Sequence, residues 1–347
     1  LSPSSAASDV YKRQVYFRII GGTYDGNKNQ QTSDSYGIDI EEPSGFDCHS
    51  LIAYVTVRNV RGHGIYANNV RRVLLFGSII ANNSKCGVYS TDNHMDIVAN
   101  YIVYNGQDGV GGKHYHNLIC NNIIAYNQGN GIGSEGFAIE HTKIVNNLLY
   151  HNDYRGILVT GSENIISQNI CERNGWHGIQ ISGSRNTVTS NICISNARLS
   201  SGERDGIRVH DSGKYNIICD NICYDDGANT QRYGIAETGA GEDYNYILNN
   251  VCMNNAVGAI YVAGAHSIVK YNVGFVTENS GTATMLAGET SVSVAHGLAG
   301  TPTVVTLGAK GNLGALWWSA NSTHITIYCS SAPTSDTEVT WHAEYEP

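Results

Sequence analysis

Short segments in which apolar and polar residues alternate recur along this chain, and each begins near a glycine. The segment Gly178-Ile-Gln-Ile-Ser182 is typical, because a period of two is that of a β-strand with one buried face. Helical spacing is not sustained anywhere. The glycine that opens the segment returns at intervals of 22 to 28 residues, at Gly64, Gly87, Gly109, Gly131, Gly156, Gly178, Gly206, Gly234 and Gly258.

Two asparagine series keep the same interval. The first is Asn100, Asn122, Asn147, Asn169, Asn191, Asn221, Asn250 and Asn272; the second lies five residues later, at Asn105, Asn127, Asn152, Asn174, Asn196, Asp226 and Asn255. Asn and Gly suit tight corners, because they tolerate left-handed backbone and form local hydrogen bonds. Three short strands per unit therefore predict an all-β fold, a single-stranded right-handed parallel β-helix with amide ladders between turns about 4.8 Å apart.

The repeat covers only part of the chain. It ends near Val276, and segments that alternate without the repeat follow from Met285. Residues 1–14 resemble translated sequencing-adaptor sequence, so we interpret them as non-native and expect an upstream region to be missing. The predicted organisation is a 1–14 adaptor segment, a 15–276 β-helix, a 277–284 linker and a 285–347 small antiparallel β-sandwich.

The amino-acid composition limits the classes of function expected for this chain. A hydrophobic content of 41% with 39 Gly and 5 Pro suits a large, turn-rich β protein, and the net charge of −9 argues against a nucleic-acid partner. No apolar run approaches the roughly 20 residues of a membrane span. Four of the nine cysteines occupy a slot that earlier units fill with Ile or Leu, which predicts core thiols; they are Cys171, Cys193, Cys223 and Cys252.

Two phrases carry a family resemblance. The stretch Ile19-Ile-Gly-Gly-Thr-Tyr-Asp-Gly-Asn27 resembles the first strand of the pectate-lyase-like superfamily, and the later repeats look like NosD and carbohydrate-binding β-helix repeats. That superfamily includes pectate lyases, polygalacturonases, mannuronan epimerases and phage tailspikes. The phrase HGLAGTPTVV, from His296, is similar to H-type-lectin-like and tail-fibre terminal modules. The resemblance implies a polysaccharide partner, an extracellular or virion-associated protein, and a homotrimer if it is tailspike-like.

Side chains two and four residues after each glycine are expected to face outward as one stripe. Its predicted substrate-binding members are Tyr66, Asn68, Arg208 and His210, joined by Asp211. Enlarged turns carrying Arg198, Glu203, Arg204, Asp205 and Arg232 would wall a groove that also holds Glu237. An ordinary solvated sheet face is the alternative. In the sandwich, Trp317 and Trp318 must point to opposite faces of a strand, so one of them is expected outside as a sugar-stacking surface.

Catalytic candidates come from two consecutive turns where polar residues replace the usual glycine. We expect Asp92 to stack on His114 and His94 on His116, beside Tyr89, Lys113 and Glu135. Such a cluster suits acid–base work or a metal; a purely structural polar turn is the alternative. The Gly-His-Gly at His63 looks like that of polygalacturonases. Trp176-His-Gly178 repeats the arrangement, however, and the partner motifs of that family are absent. We therefore interpret His63 as a structural residue of the repeat.

These observations favour a lyase or epimerase, or a tailspike depolymerase, acting on an acidic glycan. In a lyase a cation neutralises the uronate carboxylate and a base then removes the C5 proton. The predicted base is His114 or His116, the acid Tyr89, and the neutraliser Lys113 or a bound Ca²⁺. The alternatives are a non-enzymatic fibre or adhesin with a binding tip, and a glycoside hydrolase.

Overall fold

The computed structural model describes residues 17–31, 33–41, 47–91, 94–134 and 136–347. Within these ranges the chain contains strands and turns but no helix, and hence no helix that could cross a membrane. The 1–14 segment, Asp92 and Glu135 lie outside the described residues. The all-β prediction is confirmed: a parallel β-helix is followed by a small antiparallel domain.

Three strands per turn, or rung, build the β-helix. Sheet A has eleven strands among the described residues: Arg18–Ile20, Asp47–Ala53, Arg71–Phe76, Met95–Val98, Leu118–Cys120, Lys143–Val145, Ile165–Ser167, Thr187–Thr189, Ile217–Cys219, Tyr246–Leu248 and Ile268–Lys270. Sheet B has ten: Thr23–Asp25, Thr56–Arg58, Ile79–Ala81, Tyr101–Val103, Ile123–Ala125, Leu148–Tyr150, Ile170–Glu172, Ile192–Ile194, Ile222–Tyr224 and Val251–Met253.

Sheet C contains the strands that begin at the repeated glycines. It has two blocks joined through bridges at Ile132. The first block is Ile38–Glu41, Ile65–Asn68, Val88–Ser90 and Val110–Gly112; the second is Ile157–Val159, Ile179–Ile181, Ile207–Val209, Tyr233–Glu237 and Gly258–Tyr261. Strands His114–Tyr115 and Ile139–Glu140 form a separate pair beside the break. Parallel pairing, in register apart from a shift between Asp47 and Ser50, gives equivalent strands of successive rungs the same inside and outside positions.

The interior is a continuous stack of aliphatic side chains with the four predicted thiols in register. Cys171 pairs with Cys193, and Cys223 with Cys252, on adjacent strands of sheet B. All four side chains are fully buried in the main hydrophobic core, and none is in a disulfide. They fill core volume as small apolar groups.

Asparagine ladders close the corners. In the first series each side-chain amide donates to the carbonyl oxygen of the next Asn, for example Asn147 to Asn169 and Asn169 to Asn191, both at 3.0 Å. The second series departs from the sequence prediction at one rung. There Asn196 Nδ2 donates to Gln231 Oε1 at 3.2 Å, and Gln231 Nε2 donates to Asn255 Oδ1 at 2.8 Å. Gln231 therefore takes the place expected for Asp226, which instead accepts from Arg173 and Ser195.

The C-terminal domain is built from two three-stranded antiparallel sheets that share one core. One sheet contains Glu278–Met285, Thr337–Glu344 and Val304–Ala309; the other contains Ser291–Ala295, His324–Cys329 and Leu316–Ala320. The stretch 277–284, expected to be a linker, forms most of the first strand instead. It pairs along its whole length with Thr337–Glu344, and this pairing converts a small polar segment into part of the sandwich.

Candidate functional site

The outer face of sheet C carries the predicted stripe, and its register is confirmed. Tyr66 pairs with Tyr89, and Gln180 pairs with Arg208, so these side chains emerge on one face. At the N-terminal end the stripe is aromatic. The Tyr36 and Tyr66 rings stack at 4.3 Å, and the Tyr89 ring stacks on His63 at 4.5 Å. Asn68 accepts a 2.6 Å hydrogen bond from Thr91.

The predicted catalytic cluster is not assembled as expected. His114 is completely buried and faces the interior, where its strand pairs with Ile139. Its Nδ1 accepts from the side-chain amide of Asn117 at 2.9 Å, and the carbonyl oxygen of the same amide accepts from the backbone of His94 at 2.7 Å. Burial lowers the pKa of His114 to about 4. A histidine enclosed in this way closes a corner and cannot reach a polysaccharide, so its assignment as a base was wrong.

His94 and His116 do stack, as the spacing predicts, with ring centroids 5.2 Å apart. His141 extends the column at 5.0 Å from His116. All three residues have left-handed backbone and lie at the corner before sheet A. Partial desolvation of this exposed imidazole, followed by repulsion from His94 and His141, lowers the pKa of His116. Lys113 is half-exposed at the end of the same stripe, while Asp92 and Glu135 fall outside the described residues.

Four arginines converge further along sheet C; we call Arg155, Arg204, Arg208 and Arg232 the arginine cluster. At its centre Asp205 is fully buried, and Arg232 forms two hydrogen bonds of 2.9 Å to its carboxylate. Arg208 adds a third hydrogen bond of 3.0 Å to Asp205. Asp205 thus pairs directly with two of the four arginines, while Asp108 and Asp211 act on Arg155 electrostatically.

Trp176 holds two of these arginines in place. The guanidinium carbons of Arg155 and Arg204 each lie 4.6 Å from the Trp176 ring, and Tyr154 meets that ring edge-on at 4.9 Å. Arg155 also donates to Gln180 at 2.5 Å. Stacking on an aromatic ring orients a guanidinium while leaving its N–H groups free to bind an anion. The buried Nε atoms of Arg204 and Arg208 have no hydrogen-bond partner.

The positive charge of the arginine cluster acts on the neighbouring His177. It is buried, and its Nδ1 accepts the backbone N–H of Asp205 at 2.9 Å. Burial lowers its pKa well below the ordinary value, and each of the four arginines lowers it further. The imidazole is therefore neutral, and its 3.6 Å approach to the Asp205 carboxylate is no ion pair.

The other predicted groove residues divide between outside and inside. His210 follows Arg208 on the outer face, with its Nε2 3.6 Å from Asp211 and its Nδ1 4.0 Å from Glu242. Glu237, expected in the groove, is instead fully buried inside the β-helix, where its Oε1 accepts from Ser267 at 3.1 Å. Burial raises the pKa of Glu237 to about 7.

The sequence reading missed Arg155, Trp176 and His177 as parts of a site. They occupy the two positions before a repeated glycine, and the sequence pattern led us to interpret these positions as structural residues of the turn. Aligned rung by rung, the position before the glycine reads His63, Cys86, Asp108, Asn130, Arg155, His177, Asp205 and Tyr233. The lack of an apolar pattern in this column was a signal that its side chains lie outside the core.

Calcium was expected as an alternative neutraliser. Among the described residues, no group of three or more His, Cys, Asp or Glu side chains is arranged to hold a metal ion. The arginine cluster offers positive charge without a metal. In the C-terminal domain, Trp317 is 49% exposed and stacks on Tyr328 at 5.6 Å, whereas Trp318 packs against the core; opposite faces were predicted for this pair.

Solved structures with the same fold include enzymes and phage proteins. The A-module of mannuronan C-5 epimerase AlgE6 from Azotobacter vinelandii aligns with a TM-score of 0.65 at 20% identity, over 74% of this chain and 73% of that one. The tailspike protein gp49 of Pseudomonas phage LKA1 aligns at 0.61 and 12%, over 96% and 68%. The Dettilon tailspike protein gp208 aligns at 0.58 and 16%, over 96% and 80%.

At these identities the likeness is one of fold. No curated protein sequence matches the chain. The sequence does match the family described as "Right handed beta helix region" over residues 36–191 and 117–295, which together span most of its length. The rungs, ladders and parallel sheets described above are the features of that family, and the chain belongs to the right-handed β-helix family.

Proposed function

We propose that this protein binds and processes an acidic polysaccharide across the outer face of sheet C, with the arginine cluster holding the acidic groups. The observation that carries the proposal is the convergence of four arginines on one outer face, where Arg208 and Arg232 share one buried carboxylate and the other two stack on Trp176, in a chain of net charge −9. Crowding like charges is unfavourable unless an anion compensates them. The similarity of fold to the epimerase module and the tailspikes supports an extracellular or virion-associated setting, and a homotrimer stays a prediction.

The chemistry that fits best is proton abstraction beside a carboxylate, as in a lyase or an epimerase. Arg208 would neutralise the uronate carboxylate and so lower the free energy of the carbanion formed at C5. His210, two residues further on the same outer face, would accept the C5 proton. In a lyase the electron pair of the C5–H bond then forms the C4–C5 double bond as the C4–O bond breaks, and water protonates the leaving oxygen.

Two matched histidine variants test this assignment. We expect His210→Asn to lower the rate of unsaturated-uronate formation, followed by absorbance on a panel of acidic polysaccharides, by about 100-fold or more. His116→Asn removes an exposed imidazole of the stacked column and is expected to keep full activity. Full activity of His210→Asn would remove His210 from the mechanism. For an epimerase, proton exchange at C5 measured by NMR replaces the absorbance signal.

The second candidate is a non-enzymatic fibre or adhesin that binds glycans through its C-terminal domain. The exposed Trp317 favours it, because a flat indole beside Tyr328 and Ser319 suits the C–H faces and hydroxyls of a sugar. This function predicts that Trp317→Ala abolishes glycan binding while Arg208→Ala does not. The proposed function on sheet C predicts the reverse.

A further inference from the structure

A groove continues from the arginine cluster toward the N-terminus along the corner between sheets B and C. It has a volume of about 400 Å³, and its polar lining consists of Gln107, Asp108, Gln128, Asn130, Tyr154 and Arg155. Arg155 belongs to both the groove and the arginine cluster, so the two surfaces are continuous. Asp108 and Arg155 precede glycines two rungs apart, which corresponds to about 10 Å along the helix axis.

The groove differs from the cluster in charge. Asp108 is only 3% exposed, and its Oδ1 accepts from the backbone N–H of Asn130 at 2.5 Å and from the Asn130 side chain at 3.0 Å. Both donors meet the same carboxylate oxygen and fix the carboxylate in the groove floor. Asp108 thus places an acidic group beneath the groove, and Arg155, at the end nearest the arginine cluster, interacts with it electrostatically.

The Asp108 carboxylate has room at this point because the neighbouring strand positions are glycines. A Cβ atom at Gly133 would lie 2.3 Å from Asp108 Oδ2, so any other residue there would force the carboxylate to move. A Cβ atom at Gly111 would lie 2.9 Å from Cys86 Sγ. The outer stripe, which carries Tyr89 before this point and Leu158 after it, is thus interrupted by a depression beneath Asp108.

Apart from Arg155 at the end shared with the arginine cluster, the remaining lining suits a sugar without charge. Gln107 and Gln128 are exposed and offer both donors and acceptors to hydroxyl groups. Tyr154 is 43% exposed at the end of the groove nearest the arginine cluster, where its ring can contact a C–H face. A uronate carboxylate placed over Asp108 would meet a like charge at short range, which is strongly unfavourable.

We propose that this groove is a neutral-sugar subsite next to the acidic-sugar subsite of the arginine cluster. The ligand is then a heteropolysaccharide in which a neutral residue adjoins an acidic one, and not a homopolymer of uronic acid. The inference rests on the proposed function, because it defines the groove relative to the arginine cluster. It adds the residues that select the substrate, with Asp108 excluding a second acidic sugar.

The test measures dissociation constants by affinity electrophoresis for two classes of acidic polymer. Hyaluronan, gellan and xanthan contain neutral residues beside acidic ones, whereas polygalacturonate and alginate contain only uronic acids. We expect at least one mixed polymer to bind about ten-fold or more tightly than either polyuronate. A polyuronate that binds the most tightly overturns the neutral subsite while leaving the proposed function intact.

Variants link the selectivity to the groove. Asp108→Asn is expected to tighten polyuronate binding by about ten-fold, and Asp96→Asn, which makes the same change of charge on the outer face of sheet A, is expected to have no effect. Gln128→Ala, at an exposed position with no structural hydrogen bond to lose, should weaken mixed-polymer binding several-fold. Unchanged selectivity in both groove variants overturns the proposal. Loss of all acidic-polymer binding by the wild-type protein would instead refute the proposed function, and the subsite with it.

Discussion

His63 and His177 occupy the same position of the repeat in two regions of sheet C, and their surroundings differ completely. Each is buried, and each uses Nδ1 to accept the backbone N–H of the next rung, from Cys86 at 3.2 Å and from Asp205 at 2.9 Å. Around His63 the neighbours are the Tyr36, Tyr66 and Tyr89 rings. Around His177 they are the four arginines.

The comparison separates what the fold requires from what a ligand requires. The histidine hydrogen bond closes a turn in both regions, so it serves the β-helix. The side chains packed around the imidazole are free to vary: three tyrosines contact His63, with a Lys85–Asp34 ion pair nearby, whereas four arginines surround His177. A histidine in this motif is therefore weak grounds for assigning catalysis, whereas the residues around it carry information on the ligand.

The largest expected difference between the two regions is in stability. Asp205→Ala removes the fully buried carboxylate that Arg208 and Arg232 share, leaving two partly buried guanidinium groups without this partner, and we expect a loss of about 3 kcal/mol. Cys86→Ala at the equivalent position removes a small thiol and its weak 3.8 Å hydrogen bond to Gln107, and should cost about 1 kcal/mol. Thermal unfolding of both variants at pH 7.5 measures the contrast. Equal losses would mean that Asp205 does not anchor the cluster.

The next difference is in pH dependence. The pKa of His63 is lowered to about 4, first by burial and then by Lys85, and that of His177 is lowered well below its ordinary value, first by burial and then by the four arginines. Both imidazoles thus gain protons more readily in the unfolded chain, where the pKa is about 6.5. Their contribution to stability is complete above pH 6.5 and is lost as pH falls toward 4, by up to about 3 kcal/mol for His63.

Asparagine variants check this window, because an Asn oxygen can accept the same backbone hydrogen bond without titrating. We expect the drop in Tm between pH 7.5 and pH 4.5 to be smaller in His63→Asn and in His177→Asn than in the wild-type protein. The effect should be larger at His177, where protonation would also oppose four cations. An unchanged drop in both variants would show that other groups govern acid unfolding.

The smallest of the three differences is in ligand binding. Arg208→Ala should weaken binding of an acidic polysaccharide by about 30-fold, equivalent to about 2 kcal/mol, while Tyr66→Ala should change it less than three-fold. Affinity electrophoresis at two salt concentrations measures both, and added salt should weaken wild-type binding by screening the cluster. If Tyr66→Ala has the larger effect, the aromatic end of the stripe is the binding region.

The repeat made the fold and the outer stripe predictable from sequence, since strand parity and corner residues are local properties. It failed for His114, because this residue was assigned to a polar turn after the strand. Gly112, with a φ of 101°, ends that strand, and a second short strand begins at His114 with the His114 side chain facing inward. Glu237 failed for a related reason: a polar side chain was assumed to face solvent, but its strand position faces the core.

The arginine cluster shows a different limit. Arg204, Arg208 and Arg232 were visible as charges near enlarged turns, but Arg155 lies two rungs away and joins them only through the Trp176 ring. Contacts of this kind depend on side-chain reach between rungs, which spacing alone does not give. The strand at Glu278–Met285 was missed because its small polar composition resembles a linker, and only its pairing partner makes it a strand.

Gln231 has a consequence for how such a solenoid diversifies. Its side chain is one methylene longer than asparagine, and it restores the amide ladder after the chain has left the corner to form the loop that follows Asp225. The Asp225 carboxylate closes that loop on itself by accepting N–H groups from Gly227, Asn229 and Thr230. Together, Asp225 and Gln231 fix the two ends of the loop, so a rung can gain new loop sequence while the neighbouring rungs keep their register. Grafting a foreign loop between Asp225 and Gln231 is therefore a route to new ligand specificity on an unchanged scaffold.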